Sequence, residues 1–199
     1  MFFEPEREVS ETTHKLPHWQ QDNAWIFVTY RLADSLPKPL LSELKERREA
    51  WLHHNPKPWN QRQETEHHQL FSSKFDEWSD AGHGSCCLRE KQNALIVTKA
   101  FHHFDNERYL IDSFVVMPNH VHILFSPLSE HQLSDIIHSW KRFTAREINK
   151  HRNQTGQFWQ PEYWDRLIRH QEHFYWTQNY IKRNPKKLPN DQYQLYLKP

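Results

Sequence analysis

Long apolar runs are missing from this 199-residue chain: no stretch approaches the ~20 apolar residues that a membrane span requires, so no membrane partner is expected. The opening MFFEPEREVSETTHK lacks the apolar middle of a signal peptide, which points to a protein that stays in the cytoplasm. Cysteine is nearly absent. The two present, Cys86 and Cys87, are neighbours, which makes neither a disulfide framework nor the C-x-x-C of a zinc or redox site and suits small buried thiols in a reducing compartment. Glycine is scarce, three residues against twelve prolines, and two of the three fall together in Gly82-His83-Gly84, which marks a turn. Internal repeats and low-complexity tracts are also lacking.

What the chain has in quantity is aromatic. Mean hydropathy is −1.00, a value that suggests disorder when hydrophobes are missing, yet 14% of residues are Phe, Trp or Tyr. Disordered chains are poor in aromatics, so this one folds. At this length a single compact domain with its own core is expected. The net charge of +1 hides an asymmetry: residues 141–199 hold 12 Lys/Arg against 5 Asp/Glu, and residues 1–140 hold 14 against 20. A polyanion belongs at the basic end, unless that end is simply a solvated surface.

Residues 1–22 show no periodicity and read as an extended or loosely docked N-terminal arm. AWIFVTYRL (24–32) reads as a strand, and a helix follows from Pro39 to His54, with Leu40, Leu44, Arg47 and Trp51 at helical spacing. A second helix over 64–79 puts Phe71, Phe75 and Trp78 on one face, and a third over 89–104 aligns Ala94, Val97, Phe101 and Phe104. RYLIDSFVVM and HVHILF, parted by Pro118-Asn119, predict a tight hairpin. Residues 134–150 carry Ile137, Trp140, Thr144 and Ile148 inward and Arg142, Arg146 and Lys150 outward. The aromatic stretch Phe158 to Ile168 ends in a short strand. A last helix over 170–183 must stop near Pro185. With the region 39–80 set aside as a helical insertion after the first strand, a β-α-β-β-α-β order remains, an α+β, ferredoxin-like core with an antiparallel sheet. The expected organisation is an arm (1–22), a domain (23–188) and a C-terminal tail (189–199).

His120 and His122, two apart in a strand, share one face while Val121 and Ile123 share the other. They are either metal ligands or hydrogen-bonded histidines. His53-His54, His67-His68 and His102-His103 are adjacent helical pairs, whose side chains diverge by about 100°, and read as surface residues. On the last helix Tyr180 and Asn184 lie on one face with His173, Thr177 and Trp176 on or beside it, while Phe174 and Ile181 turn to the core. Tyr175 and Asn179 form a rival pair at the same spacing.

VVMPNHVHILF, SWKRFTAREIN, QFWQPEYWDRLIR and YIKRNPKK, in this order, resemble the REP-associated tyrosine transposases, a branch of the HUH single-strand DNA transposases with one catalytic tyrosine. The resemblance covers approximately residues 24–188. It implies a ferredoxin-like core with a C-terminal catalytic helix, His120 and His122 as ligands of a divalent ion, Tyr180 as nucleophile and Asn184 as the amide completing the metal site. Two features depart from the pattern: Lys186-Lys187 stands where a small residue is usual before Leu188, and the 39–80 region lengthens the core. The implied activity is a sequence- and structure-specific single-strand DNA endonuclease and strand transferase, acting through a 5′-phosphotyrosine at hairpin (REP-like) elements, in a nucleoid-associated cytoplasmic protein.

Mixed imidazole and amide ligation with open positions suits Mg²⁺ or Mn²⁺. The basic residues Lys141, Arg142, Arg146, Lys150, Arg166, Arg169, Lys182, Arg183, Lys186 and Lys187 are candidates to follow a DNA backbone. Trp159, Tyr163 and Trp164 either stack unpaired bases, at ~1–3 kcal/mol each, or belong to the core. Two other classes compete: a domesticated single-stranded nucleic-acid-binding module that no longer cuts, and a metal hydrolase using H-x-H alone. A pure binder has no need of all four residues, and a hydrolase lacks a third His, Asp or Glu at obvious spacing.

Overall fold

Two runs without polar alternation, IFVTYR and VHILF, call for cover on both faces, and they lie side by side at the centre of the sheet. The computed structural model describes residues 1–4, 6, 7, 9–13, 17–36, 38–56, 61–72, 78 and 82–199. Its strands are β1 (Ser10–Thr13), β2 (Pro17–Gln20), β3 (Ile26–Arg31), β4 (Tyr109–Val116), β5 (His120–Pro127), β6 (Trp164–Leu167) and β7 (Gln194–Leu197). The helices are α1 (Lys38–His54), α2 (Gln61–His67), α3 (Lys91–His102), α4 (Leu133–His151) and α5 (Gln171–Arg183). The main sheet runs β6-β3-β5-β4-β7, every neighbour antiparallel. Without β7 this is the strand order of the expected β-α-β-β-α-β core. None of the described helices is long and apolar enough to cross a membrane.

One face of the sheet carries Ile26, Val28, Tyr30, Phe114, Val116, Val121, Ile123 and Phe125, packed on Ala94, Val97 and Phe101 of α3 and Ile136, Ile137, Trp140 and Ile148 of α4. These are the inward positions the helical periods selected. The Trp140 indole donates to the Tyr109 hydroxyl (2.9 Å), which donates to the Phe101 carbonyl (2.9 Å), so the buried aromatics keep their polar ends satisfied. The opposite face carries Val115 and Leu124, covered by Ile181 of α5 with Phe174, Trp25 and Phe27 around it. α5 thus packs on the face that also bears the two histidines.

The β4–β5 hairpin turns on Pro118-Asn119, with Met117 N donating to His120 O (2.9 Å). Gly82 and Gly84 both take positive φ, and at Gly84 a Cβ would meet the Asp34 backbone, so that turn requires glycine. Between β3 and α3 the insertion builds a satellite cluster of Leu36 and Phe71, with Trp51, Trp78 and Trp164 against it. The expected helix over 64–79 begins at Gln61 and passes into a π-helical turn, His68–Ser72; Phe75 lies outside the described residues.

Both ends are tied into the fold. The N-terminal segment holds the β1–β2 hairpin and docks: Phe3 N donates to Ile168 O (2.9 Å), and Trp25 N to Met1 O (3.1 Å). Gln20 reaches α4, its side-chain oxygen accepting from Leu133 N at the first turn. At the other end, residues 194–197 pair with β4 as a fifth strand, and Tyr196 stacks on Phe114 (5.2 Å).

Candidate active site

The site begins with the pleat of β5, which sends His120 and His122 to the face away from α3 and α4. Both are fully buried. Register sets His122 between Thr29 of β3 and Val115 of β4, and His120 opposite Arg31. The Thr29 hydroxyl lies 2.7 Å from His122 Nδ1, and the Asn119 side-chain oxygen accepts from His120 Nδ1 at 2.8 Å. With both Nδ1 atoms occupied, the Nε2 atoms converge to 3.1 Å. Burial drives the His120 pKa down to about 3, helped by the Arg31 charge, and burial with His120 alongside holds His122 well below its ordinary value. Both rings are neutral at pH 7, the state in which imidazole ligates metal.

Helix α5 brings the second half of the site. Ile181 is buried against the sheet and Phe174 packs edge-on to Trp25 (5.1 Å). Gln178 reaches both carboxylate oxygens of Asp112 at 3.3 Å, next to the irregularity between Ile111 and Ser113 in β4. So seated, the helix sets the Tyr180 ring edge-on to His122 (5.3 Å) and to Phe27 (5.8 Å). Asn184 caps the helix one turn on, before the buried Pro185. Its side-chain nitrogen lies 3.4 Å from His122 Nε2, and its Oδ1 is buried with no hydrogen-bond partner. Amide oxygen and nitrogen exchange places on a half-turn. Two convergent imidazole nitrogens and an unsatisfied carboxamide oxygen therefore fit a divalent cation; no third His, Cys, Asp or Glu joins them among the described residues.

The rival pair lies elsewhere. Tyr175 is 51% exposed, with its hydroxyl taking a bond from Gln171, and Asn179 is exposed. Of the two pairs left open by spacing, the structure brings Tyr180 and Asn184 to His120 and His122.

The basic residues divide. Arg166, opposite Phe27 in register, lies on the Tyr180 side of the sheet, and Lys182, Arg183, Lys186 and Lys187 lie on α5 and the turn after it, while Arg169, between β6 and α5, sets its guanidinium over the Phe3 ring (5.9 Å). Arg142, Arg146 and Lys150 are exposed on α4, across the sheet from the histidines. Lys141 leaves that stripe. Its ammonium donates to the carbonyls of Gln160, Pro161 and Glu162 (3.0, 3.0 and 3.1 Å) with the Tyr30 and Tyr163 rings beside it, and burial brings its pKa down to about 8. This is a clamp on the loop before β6, so Lys141 is corrected from backbone contact to structural residue. Trp159 and Tyr163 are core aromatics, Trp159 donating to Thr144 (2.9 Å). Trp164, half-buried, packs against the insertion cluster under Arg48 (5.3 Å).

Thr29, Asn119, Asp112 and Gln178 were not singled out by the sequence. Only the position of Asn119, directly before the H-x-H, carried a signal. Among the adjacent histidine pairs, His53, His54, His102 and His103 are exposed, while His67 packs on Trp51 (5.2 Å) and Phe71 (5.0 Å).

Residues 90–184 match the family model described as transposase IS200 like, just under half of the chain, from the start of α3 to Asn184. No curated protein matches. Among solved structures, the chain is similar to the REP-associated tyrosine transposase bound to a REP hairpin, at 14% identity and a TM-score of 0.44, over 88% of this chain and 74% of that one. It is also similar to a protein of Deinococcus radiodurans R1 assigned as a transposase, at 14% identity and a TM-score of 0.32, over 80% and 89% of the two chains.

Proposed function

We propose, for a chain whose residues 90–184 carry the segment shared by the IS200-like transposases, a single-strand DNA endonuclease and strand transferase in which Tyr180 is the nucleophile. The observation that carries this reading is the edge-on seat of the Tyr180 phenol at His122, with Asn184 closing on the same imidazole. A phenol with an ordinary pKa of ~10 and an anionic phosphodiester do not react unaided. His120, His122 and Asn184 would hold Mg²⁺ or Mn²⁺, which when bound supplies Lewis-acid stabilisation of charge on the scissile phosphate.

The protein's own residues do the rest. Thr29 and Asn119 fix the two rings so that both Nε2 atoms face the phosphate site. Half-buried, Tyr180 loses its proton to water and its oxygen bonds to phosphorus; the P–O3′ bond breaks, and the departing 3′ oxygen takes up a proton. The 5′-phosphotyrosine keeps the bond energy, and attack by a 3′-OH reverses the step and rejoins the strand. Arg166, Lys182, Arg183, Lys186 and Lys187, grouped on the site's side, follow the strand's phosphates. Hairpin elements of REP type are the substrate we assign, after the bound DNA of the similar structure.

A denaturation-resistant adduct with labelled single-stranded DNA, formed with Mn²⁺, is the test. Tyr180→Phe deletes one oxygen and abolishes the adduct while binding persists. An adduct that survives Tyr180→Phe and disappears in Tyr175→Phe overturns the assignment; strong binding with no adduct in wild type favours a binding module without cleavage.

A further inference from the structure

We propose that Trp176 is a stacking platform for an unpaired nucleobase next to the scissile phosphate, an extension of the site along α5 that rests on the proposed single-strand DNA function. Trp176 lies one helical turn before Tyr180, and the two rings are near-parallel, with centroids 5.9 Å apart and planes 16° apart. It is also 55% exposed, the most exposed large aromatic among the described residues. An indole left in water beside a half-buried tyrosine costs hydrophobic free energy and contributes nothing visible to the core. The other aromatics that the sequence offered for stacking are engaged in packing, Trp159 and Tyr163 in the main core and Trp164 against the insertion.

The surroundings select the occupant. Trp176, Tyr180 and Arg183 recur at intervals of four and three residues on α5, and at three residues per turn in the 3₁₀ extension Lys186 comes next, so one stripe reads indole, phenol, guanidinium, ammonium. Arg183, Lys186 and Lys187 are exposed. A ligand that is flat and apolar at one end and polyanionic at the other matches this stripe, and an unpaired nucleotide strand has that chemistry. A base resting on the indole would sit within a nucleotide or two of a phosphate held before Tyr180. Trp176 thereby aligns the strand, a positioning residue that never touches the bond being broken.

Affinity for a dT16 oligonucleotide, and for a 16-mer of abasic sites with the same phosphates, separates stacking from charge. Both are measured by fluorescence anisotropy on the full chain carrying Tyr180→Phe, so that no cleavage intervenes. Trp176→Ala is expected to lose roughly 5- to 100-fold on dT16, the range for one base–aromatic stack, with little change on the abasic strand. Trp176→Phe should recover most of the loss, and the salt dependence should keep its slope because no charge is removed. An equal loss on both strands means a structural role and overturns the proposal, as does no loss on dT16. Sedimentation of Trp176→Ala alone covers the other occupant: a shift from dimer to monomer assigns the indole to a second copy of the chain instead. Failure of wild type to bind either strand rejects the DNA reading itself, whereas wild-type binding that Trp176→Ala leaves intact rejects only this inference.

Discussion

The imidazoles of His120 and His122 are held by neighbours that never face the substrate. Thr29 touches His122 from β3, and Asn119 touches His120 from the hairpin turn, where its own carbonyl accepts from Leu32 N (2.8 Å). Outer partners of this kind are typically worth 10- to 100-fold in metal affinity. Thr29→Val, which keeps the shape and removes the hydroxyl, is therefore expected to weaken Mn²⁺ binding by roughly that factor, read by electron paramagnetic resonance of free Mn²⁺. His122→Ala should abolish binding in the same assay. Unchanged Mn²⁺ affinity in His122→Ala would place the ion elsewhere. Lys141 shows the opposite fate for a charged residue: three carbonyls and two aromatic rings surround its ammonium, and its three N–H donors are spent within the fold.

Among the elements, α4 and α5 lie on opposite faces of one sheet, and this separates two roles for basic residues. Arg142→Ala with Arg146→Ala removes charge from α4 alone. The double variant is expected to flatten the logarithmic salt dependence of single-strand binding by about one to two units, at a slope of roughly −0.7 per contact. Adduct formation at saturating DNA should not slow, because neither residue lies on the Tyr180 face. An unchanged salt slope would show that DNA does not cross α4. Strand β7 has a structural task. Tyr196 stacks on Phe114 and meets His102 edge-on (4.7 Å), covering one end of the α3 face. Tyr196→Ala should cost about 1–2 kcal/mol in urea unfolding, less than a fully buried aromatic because the ring is half-exposed.

Across the whole molecule, the buried histidine pair links folding to pH. Both rings are neutral when folded and ordinary when unfolded, so below pH 6.5 the unfolded chain binds more protons. Their contribution is fully present above pH 6.5 and is lost as pH falls toward the folded value of about 3 for His120. Between pH 7 and pH 5 His120 should remove about 2 kcal/mol of stability in the absence of metal, and His122 acts in the same direction. Urea midpoints with chelator at the two pH values measure this; His122→Asn should reduce the difference, and an undiminished difference would assign the acid sensitivity to other groups. Added Mn²⁺ should raise stability at pH 7, because a ligand that binds only the folded form adds to it.

Element order, the two-sided burial of β3 and β5, the shared face of His120 and His122 and the end of α5 before Pro185 were all readable along the chain. They follow from local rules: pleat, helical period, and proline geometry. The tertiary structure alone set Tyr180 rather than Tyr175 beside His122, since both stripes of α5 have the same spacing and their placement depends on which side Ile181, Phe174 and Gln178 press to the sheet. It alone divided the basic residues between two faces and enclosed Lys141, contacts set by docking across the sheet and by the loop over α4. The β1–β2 hairpin and β7 carry no periodic signal in four residues apiece; they exist because a neighbouring edge or loop receives them. Thr29 and His122, 93 residues apart, meet through strand register, a quantity that no local spacing contains.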